Sequence, residues 1–241
     1  MTKVERYREK LRMLQDWDEF LLQESGLPGP RGNIELAHAV AQEGNRARFE
    51  RYLAFGPKQA SVNSPHEFLA FCGVLGLGQL LAQGQLEVVE TLRLYASDPR
   101  WRTREAVAQA LQLWGDADID AMLQEMEIWS QGNLLEQRAA AAGPCEPRLL
   151  GQPAHAEQVL QILDTTTRSL QESQARKSWE YKALRKGLAY CWSVAVAAYP
   201  EIGKRAIEPW FAANDRDVRW VMKQNLKKKR LERMDAQWVE Y

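Results

Sequence analysis

Basic and aromatic side chains alternate along the carboxy-terminal third of this chain. Trp179, Tyr181, Lys182, Arg185, Lys186, Tyr190 and Trp192 fall in one predicted helix, and Arg216, Arg219, Trp220 and Lys223 in another, ahead of Lys227-Lys228-Lys229-Arg230. Cations of this kind neutralise phosphates and aromatic rings stack on bases, so a groove lined with both suits nucleic acid. A plainer reading uses the same residues: tryptophans fill a core, arginines bond to neighbouring loops, and the lysine run solvates a helix end. Residue types and spacing leave both readings open.

Covalent chemistry has far less to stand on. His38, His66 and His155 are isolated, without the ligand spacing of a zinc site. Gly73, Gly76 and Gly78 are in the wrong order for a dinucleotide loop and follow no strand, so they are expected to let helices approach closely. No Gly-x-Ser-x-Gly elbow occurs, and the cluster Asp116, Asp118, Asp120, Glu125 and Glu127 lacks the glycine and terminal glutamate of a calcium loop. Asp118 reads better as a helix cap. Cys72, Cys145 and Cys191 are too far apart for a Cys-x-x-Cys site. The expectation is no catalytic residue, no metal and no cofactor.

Apolar residues recur at helical spacing nearly everywhere, which predicts an all-α chain. The first helix is predicted over 3–24 and must stop in the Pro- and Gly-rich stretch 25–33. Asn33 and Asn45 are placed to cap helices reaching about Glu43 and Phe55. Ser64-Pro65-His66-Glu67 has the form of a capping box with proline at the first helical position, starting a helix to about Ala82. Helices follow over about 86–96, from Asp98-Pro99 to near Gly115, and over 118–131, 133–143, 154–172, 177–199, 201–213 and 216–232. That is twelve helices in six antiparallel pairs, read as one domain over residues 1–241.

Two segments match each other: Asp98-Pro99-Arg100-Trp101-Arg102-Thr103-Arg104 onward to Leu111, and Asp215-Arg216-Asp217-Val218-Arg219 onward to Leu226. Each has a capping residue, an early arginine and a leucine seven positions later on the same face. Arg104, Arg138, Arg185 and Arg219 recur at separations of 34, 47 and 34 residues, in the range of two-helix repeats. These segments resemble HEAT repeats, whose pattern runs Asp-Pro, Val-Arg, then an Ala-rich helix ending Ala-Leu. Thr103 departs from it in the first copy, and Val221, Met222 and Asn225 in the second. Through Leu27-Pro28-Gly29-Pro30-Arg31-Gly32-Asn33, the stretch 71–78 and Tyr190-Cys191-Trp192-Ser193-Val194-Ala195, the chain is also similar to an uncharacterised group of bacterial HEAT-repeat proteins. The resemblance implies an α-α superhelix, an armadillo-like solenoid of about six helix pairs with a concave binding face. Alkylation-repair DNA glycosylases share that architecture and carry an essential Asp among aromatics, to which Trp101 with Glu105 is the nearest pairing here.

Composition narrows the partners. With 32 basic and 32 acidic residues the chain is neutral, which argues against coating nucleic acid or an anionic membrane with its whole surface. The charge is nonetheless divided: residues 105–164 hold ten acids and two bases, residues 176–233 fifteen bases and six acids, nets of −8 and +9. No run approaches the roughly 18 uninterrupted apolar residues of a membrane span, and the amino terminus lacks an apolar signal core, so a cytoplasmic location is expected. The first functional reading is a noncatalytic scaffold that binds a protein, with Trp101, Arg104, Arg138, Arg185, Trp192, Arg219, Trp220 and Lys223 as candidate binding residues. The alternative is a DNA-binding protein of the glycosylase type, using the basic region 176–233.

Overall fold

The computed structural model describes residues 1–240, and every regular element among them is helical. The helices gather into two compact units, the first Met1–Ala117 and the second from Asp118 onward. The first holds α1 (Lys3–Met13), α2 (Asp18–Glu24), α3 (Ile34–Glu43), α4 (Arg46–Leu53), α5 (Pro65–Ala82), α6 (Val89–Ala96) and α7 (Trp101–Ala117). The second holds α8 (Ile119–Trp129), α9 (Leu134–Ala142), α10 (Pro153–Glu172), α11 (Trp179–Ala198), α12 (Pro200–Phe211), α13 (Arg216–Leu226) and α14 (Lys229–Met234). Short 3-10 turns at 86–88, 147–149 and 238–240 complete the described chain.

Fourteen helices stand where twelve were expected, because the first and last predicted helices are each broken once. Between α1 and α2 the backbone turns extended at Leu14. Trp17 is buried there, its indole N–H donating to the Leu11 carbonyl at 2.9 Å and its ring covered by the Arg48 guanidinium at 3.6 Å. The indole thus joins the Leu14 N–H at a carbonyl in the last turn of the interrupted helix. At the other end Lys228 turns extended, and the short α14 that follows carries Leu231 into the core.

Asn33, Asn45, Ser64, Asp118 and Asp215 all accept hydrogen bonds from the first turns of the helices they precede. Two expected caps do more than cap. Ser64 accepts from the Glu67 N–H, but the Glu67 carboxylate turns to the Asn63 N–H at 2.7 Å and to Arg102, so the reciprocal half of the box is absent. Asp98 accepts from the Arg100 N–H at 2.7 Å and also pairs with the Arg100 guanidinium through both oxygens, at 2.9 and 2.7 Å. Arg100 is itself buried and donates to the carbonyls of Phe55 and Ala60, tying the 55–60 loop to the start of α7.

In the first unit α5 is the axial element. It is 18 residues long with a mean hydropathy of 1.2, which meets the length and composition of a membrane span, yet 78% of it is buried within the protein. It packs against α3, α4 and α7. A Cβ at Gly76 would strike the Phe49 ring and one at Gly78 the backbone of Ala110, so these glycines are what lets α4 and α7 lie so close. In the second unit α11 is central, flanked by α9, α10, α12 and α13. Asn225 reaches from α13 into it, accepting from the Ser193 N–H and donating to the Leu188 carbonyl, both at 2.9 Å. Its amide works there as a piece of backbone would, donating and accepting at once.

Two stability measurements follow from this packing. Leu111 is wholly buried in α7, so Leu111→Ala should cost about 2–5 kcal/mol in a urea titration, the range for leucine truncated in a core. Asp98→Ala should cost about 3–5 kcal/mol, because it leaves Arg100 buried and unpaired; a loss near 1 kcal/mol would assign Asp98 the capping role alone.

Candidate functional site

The four regularly spaced arginines, Arg104, Arg138, Arg185 and Arg219, have three different settings. Arg104 in α7 extends its Nη1 back to the carbonyls of Asp98 and Pro99, at 2.6 and 3.0 Å. Arg219 in α13 reaches back to Ala213 and Asn214, at 3.1 and 2.9 Å. In both, the targets lie six and five residues earlier, so the two matched segments share one device that closes the loop onto its helix. Arg138 in α9 is half-buried, its aliphatic stem lying beside Gly187 of α11.

Arg185 is held by the charge network between α11 and α13. Its Nη1 makes a short ion pair with Asp217, and its guanidinium lies 4.3 Å from the Trp220 ring centre. Asp217 also accepts from the Tyr181 hydroxyl at 3.0 Å and from Arg176 at 3.3 Å, while Asp215 binds Arg176 at 2.6 Å. Burial alone would raise both carboxyls. The hydrogen bonds from Arg185 and Tyr181 outweigh it at Asp217, as those from Arg176 and the helix N–H groups do at Asp215, and both titrate below the ordinary aspartate range. Tyr181 is pushed the other way, to about 12, by burial and by its bond to Asp217.

Trp192 does not reach the surface at all: it is 0% exposed, with its indole N–H bonded to Thr167 at 3.0 Å. A ring so placed has no face left for a partner. Trp101, at the start of α7 in the first unit, is 46% exposed with the Arg102 guanidinium 4.4 Å from its ring centre. Lys223 is exposed on α13.

Four other residues form the most open cation and aromatic array in the second unit. Trp179, Lys182, Lys186 and Tyr190 are separated by three, four and four residues, which puts them on one stripe of α11, and all four are exposed. Tyr190 is flanked by α14 and the turn before it: Arg230 donates to its hydroxyl at 2.6 Å and Lys228 stands 5.5 Å from its ring. Lys182, Lys186 and Lys223 have no acid partner among the described residues. These positions were readable in the periodicity of solvent-facing residues, but the recurrence of arginines drew attention to side chains that the fold uses internally.

Such a face offers positive charge and two partly open rings. Among the described residues no group of three or more His, Cys, Asp or Glu is placed to hold a metal ion. His155 bonds to Asp120 at 3.1 Å, His66 lies against Phe55, and all three cysteines are buried free thiols. No protein-family profile, curated protein sequence or solved structure matches this chain.

The network between α11 and α13 should make stability depend on pH at both extremes. Asp217, with its folded value lowered, stabilises above the ordinary carboxylate value of about 4 and loses that contribution as pH falls through the folded value. Tyr181, with its folded value raised, stabilises below about 10 and loses the contribution as pH rises towards 12. Denaturant titrations should therefore show the gap between wild type and Asp217→Asn closing below pH 4, and that between wild type and Tyr181→Phe closing above pH 10. Gaps that stay constant with pH would count against the network.

Proposed function

We propose that this chain is a noncatalytic helical-repeat scaffold that holds an acidic protein partner on the exposed face of α11 and α13. The observation that carries this reading is the stripe Trp179, Lys182, Lys186 and Tyr190, with Lys223 exposed on the adjoining α13. Half-exposed tryptophan and tyrosine are the residue types that anchor protein interfaces, and unpaired lysines around them speed association with an acidic surface. The shared back-bonding of Arg104 and Arg219 supports a HEAT-like superhelix of about six helix pairs, in which α1 with α2, and α13 with α14, count as broken single helices. Three buried free thiols suit work in the reducing cytoplasm of a bacterium.

A second reading rests on the interleaving of rings with amines one turn apart, which also suits bases and phosphates: a DNA-binding protein related to the alkylation-repair glycosylases. Arg185 and Arg219 are unsuited to testing either, since both are engaged within the fold. The informative variant is Lys182→Glu with Lys186→Glu and Lys223→Glu, beside Lys3→Glu with Arg6→Glu in the first unit as a control.

Affinity capture with the full chain should recover a protein that the triple variant loses and the control retains, with helicity unchanged in both. A duplex DNA gel shift across a salt series should show no retained complex, even at low ionic strength. A shift that weakens steeply with salt and vanishes in the triple variant would favour the DNA reading. Equal capture by triple variant and wild type would remove the site from this face.

A further inference from the structure

The basic stripe of α11 has a counterpart of opposite sign in the same unit. Along α8, Asp120, Gln124 and Glu127 follow one another at spacings of four and three, which puts them on one side of the helix, and all three are exposed. Ile128, four residues after Gln124, adjoins them and is 54% exposed, while Met122, Leu123, Met126 and Trp129 turn inward and are buried. The Asp120 side chain is 75% exposed even though it bonds to His155. The Glu127 carboxylate has no cation partner among the described residues.

Charge in the second unit follows the same division. Residues 118–164 hold eight acids and two bases, a net of −6, against the net of +9 over residues 176–233. Helices α9 and α10 each pack against both α8 and α11, and so stand between the two stripes. The acidic stripe of one molecule is thereby kept from its own lysines and left open to those of another. Because the whole chain has a formal net charge of zero, copies approach without overall repulsion, and the opposed local potentials favour one orientation of encounter.

We propose that the acidic partner of the α11 and α13 face is a second copy of this chain, presenting its α8. Asp120 and Glu127 of one copy lie among Lys182, Lys186 and Lys223 of the next, and Ile128 sets an apolar side chain against the half-exposed rings of Trp179 and Tyr190. Such a contact joins two different surfaces and is therefore heterologous, so repetition extends it head to tail into a row or closes it into a ring. The inference rests on the reading of α11 and α13 as a docking face.

The test is sedimentation velocity on the full chain. The wild type should grow with concentration from its 27.6 kDa monomer, and its self-affinity should fall at least about tenfold between about 0.1 M and 1 M salt, as the Debye length shortens from about 10 to 3 Å. Asp120→Lys with Glu127→Lys should leave a monomer, as should Lys182→Glu with Lys186→Glu and Lys223→Glu. Glu50→Lys with Glu90→Lys, a matched change at exposed acids of the first unit, should associate like the wild type. Mixing the two monomeric variants should restore association, since each supplies the stripe that the other has lost. Ile128→Ser should weaken self-association severalfold, and it stands as the test if Asp120→Lys disturbs His155. A wild type that stays monomeric at every concentration, an acid variant, lysine variant or Ile128→Ser that associates like the wild type, or a mixture that stays monomeric would overturn the inference. The docking face is judged separately by capture: a monomeric chain that still captures an acidic protein through its lysines would sink the second copy and leave that face standing.

Discussion

A helix that begins after a tight loop leaves that loop's carbonyls without backbone partners, and this chain repeatedly supplies an arginine from within the helix to take them. Arg104 and Arg219 each bridge two carbonyls, at −6 and −5, and so set the angle at which α7 and α13 leave their loops. Other contacts depend on that angle. With the start of α7 fixed, Asp98 and Arg100 can pair in the interior and reach Phe55 and Ala60; with the start of α13 fixed, Asp217 meets Arg185, Arg176 and Tyr181. A guanidinium suits the task because its planar fork donates in several directions without needing a counter-charge.

Buried charge is the recurring cost of this construction. Arg100, Arg102 and Glu67 are almost wholly removed from solvent, and a buried ion pair is often no more stabilising than a well-packed apolar equivalent. What these groups supply is definition: each bonds to segments distant in sequence, so loops around Gly29, Phe55 and Asn63 have one way to sit. The exposed stripe of α11 has the opposite character. Its lysines are solvated and unpaired, and their positions are fixed only by the helix that carries them.

Much of the helical plan was legible because capping is local. Asn33, Asn45, Asp118 and Asp215 bond to N–H groups two or three residues away, and such bonds can be read from residue order. The break after α1 was not legible, since it depends on Trp17 turning back to Leu11 under a guanidinium 31 residues further along. Glu67 likewise matched a capping pattern and was drawn away by Arg102, a partner visible only in three dimensions. At the candidate face, Tyr190 and Trp192 are two positions apart and therefore about 200° apart around α11, one outward and one in the core. Composition could not separate them; the phase of the helix could. Arg185 shares the inward-leaning side with Trp192, seven residues on, and its partner Asp217 lies 32 positions away.

The closeness of α5 to its neighbours has a consequence for synthesis on the ribosome. Gly76 and Gly78 give α5 a smooth surface against which Phe49 and Ala110 lie, but Ala110 belongs to a helix translated later. At ordinary elongation rates of about 5–20 residues per second, the segment from α5 to α7 takes a few seconds to emerge. For that interval a nascent helix long and apolar enough to cross a membrane lacks the cover of α7. Chaperones that survey emerging chains meet its apolar side chains before α7 arrives to bury them.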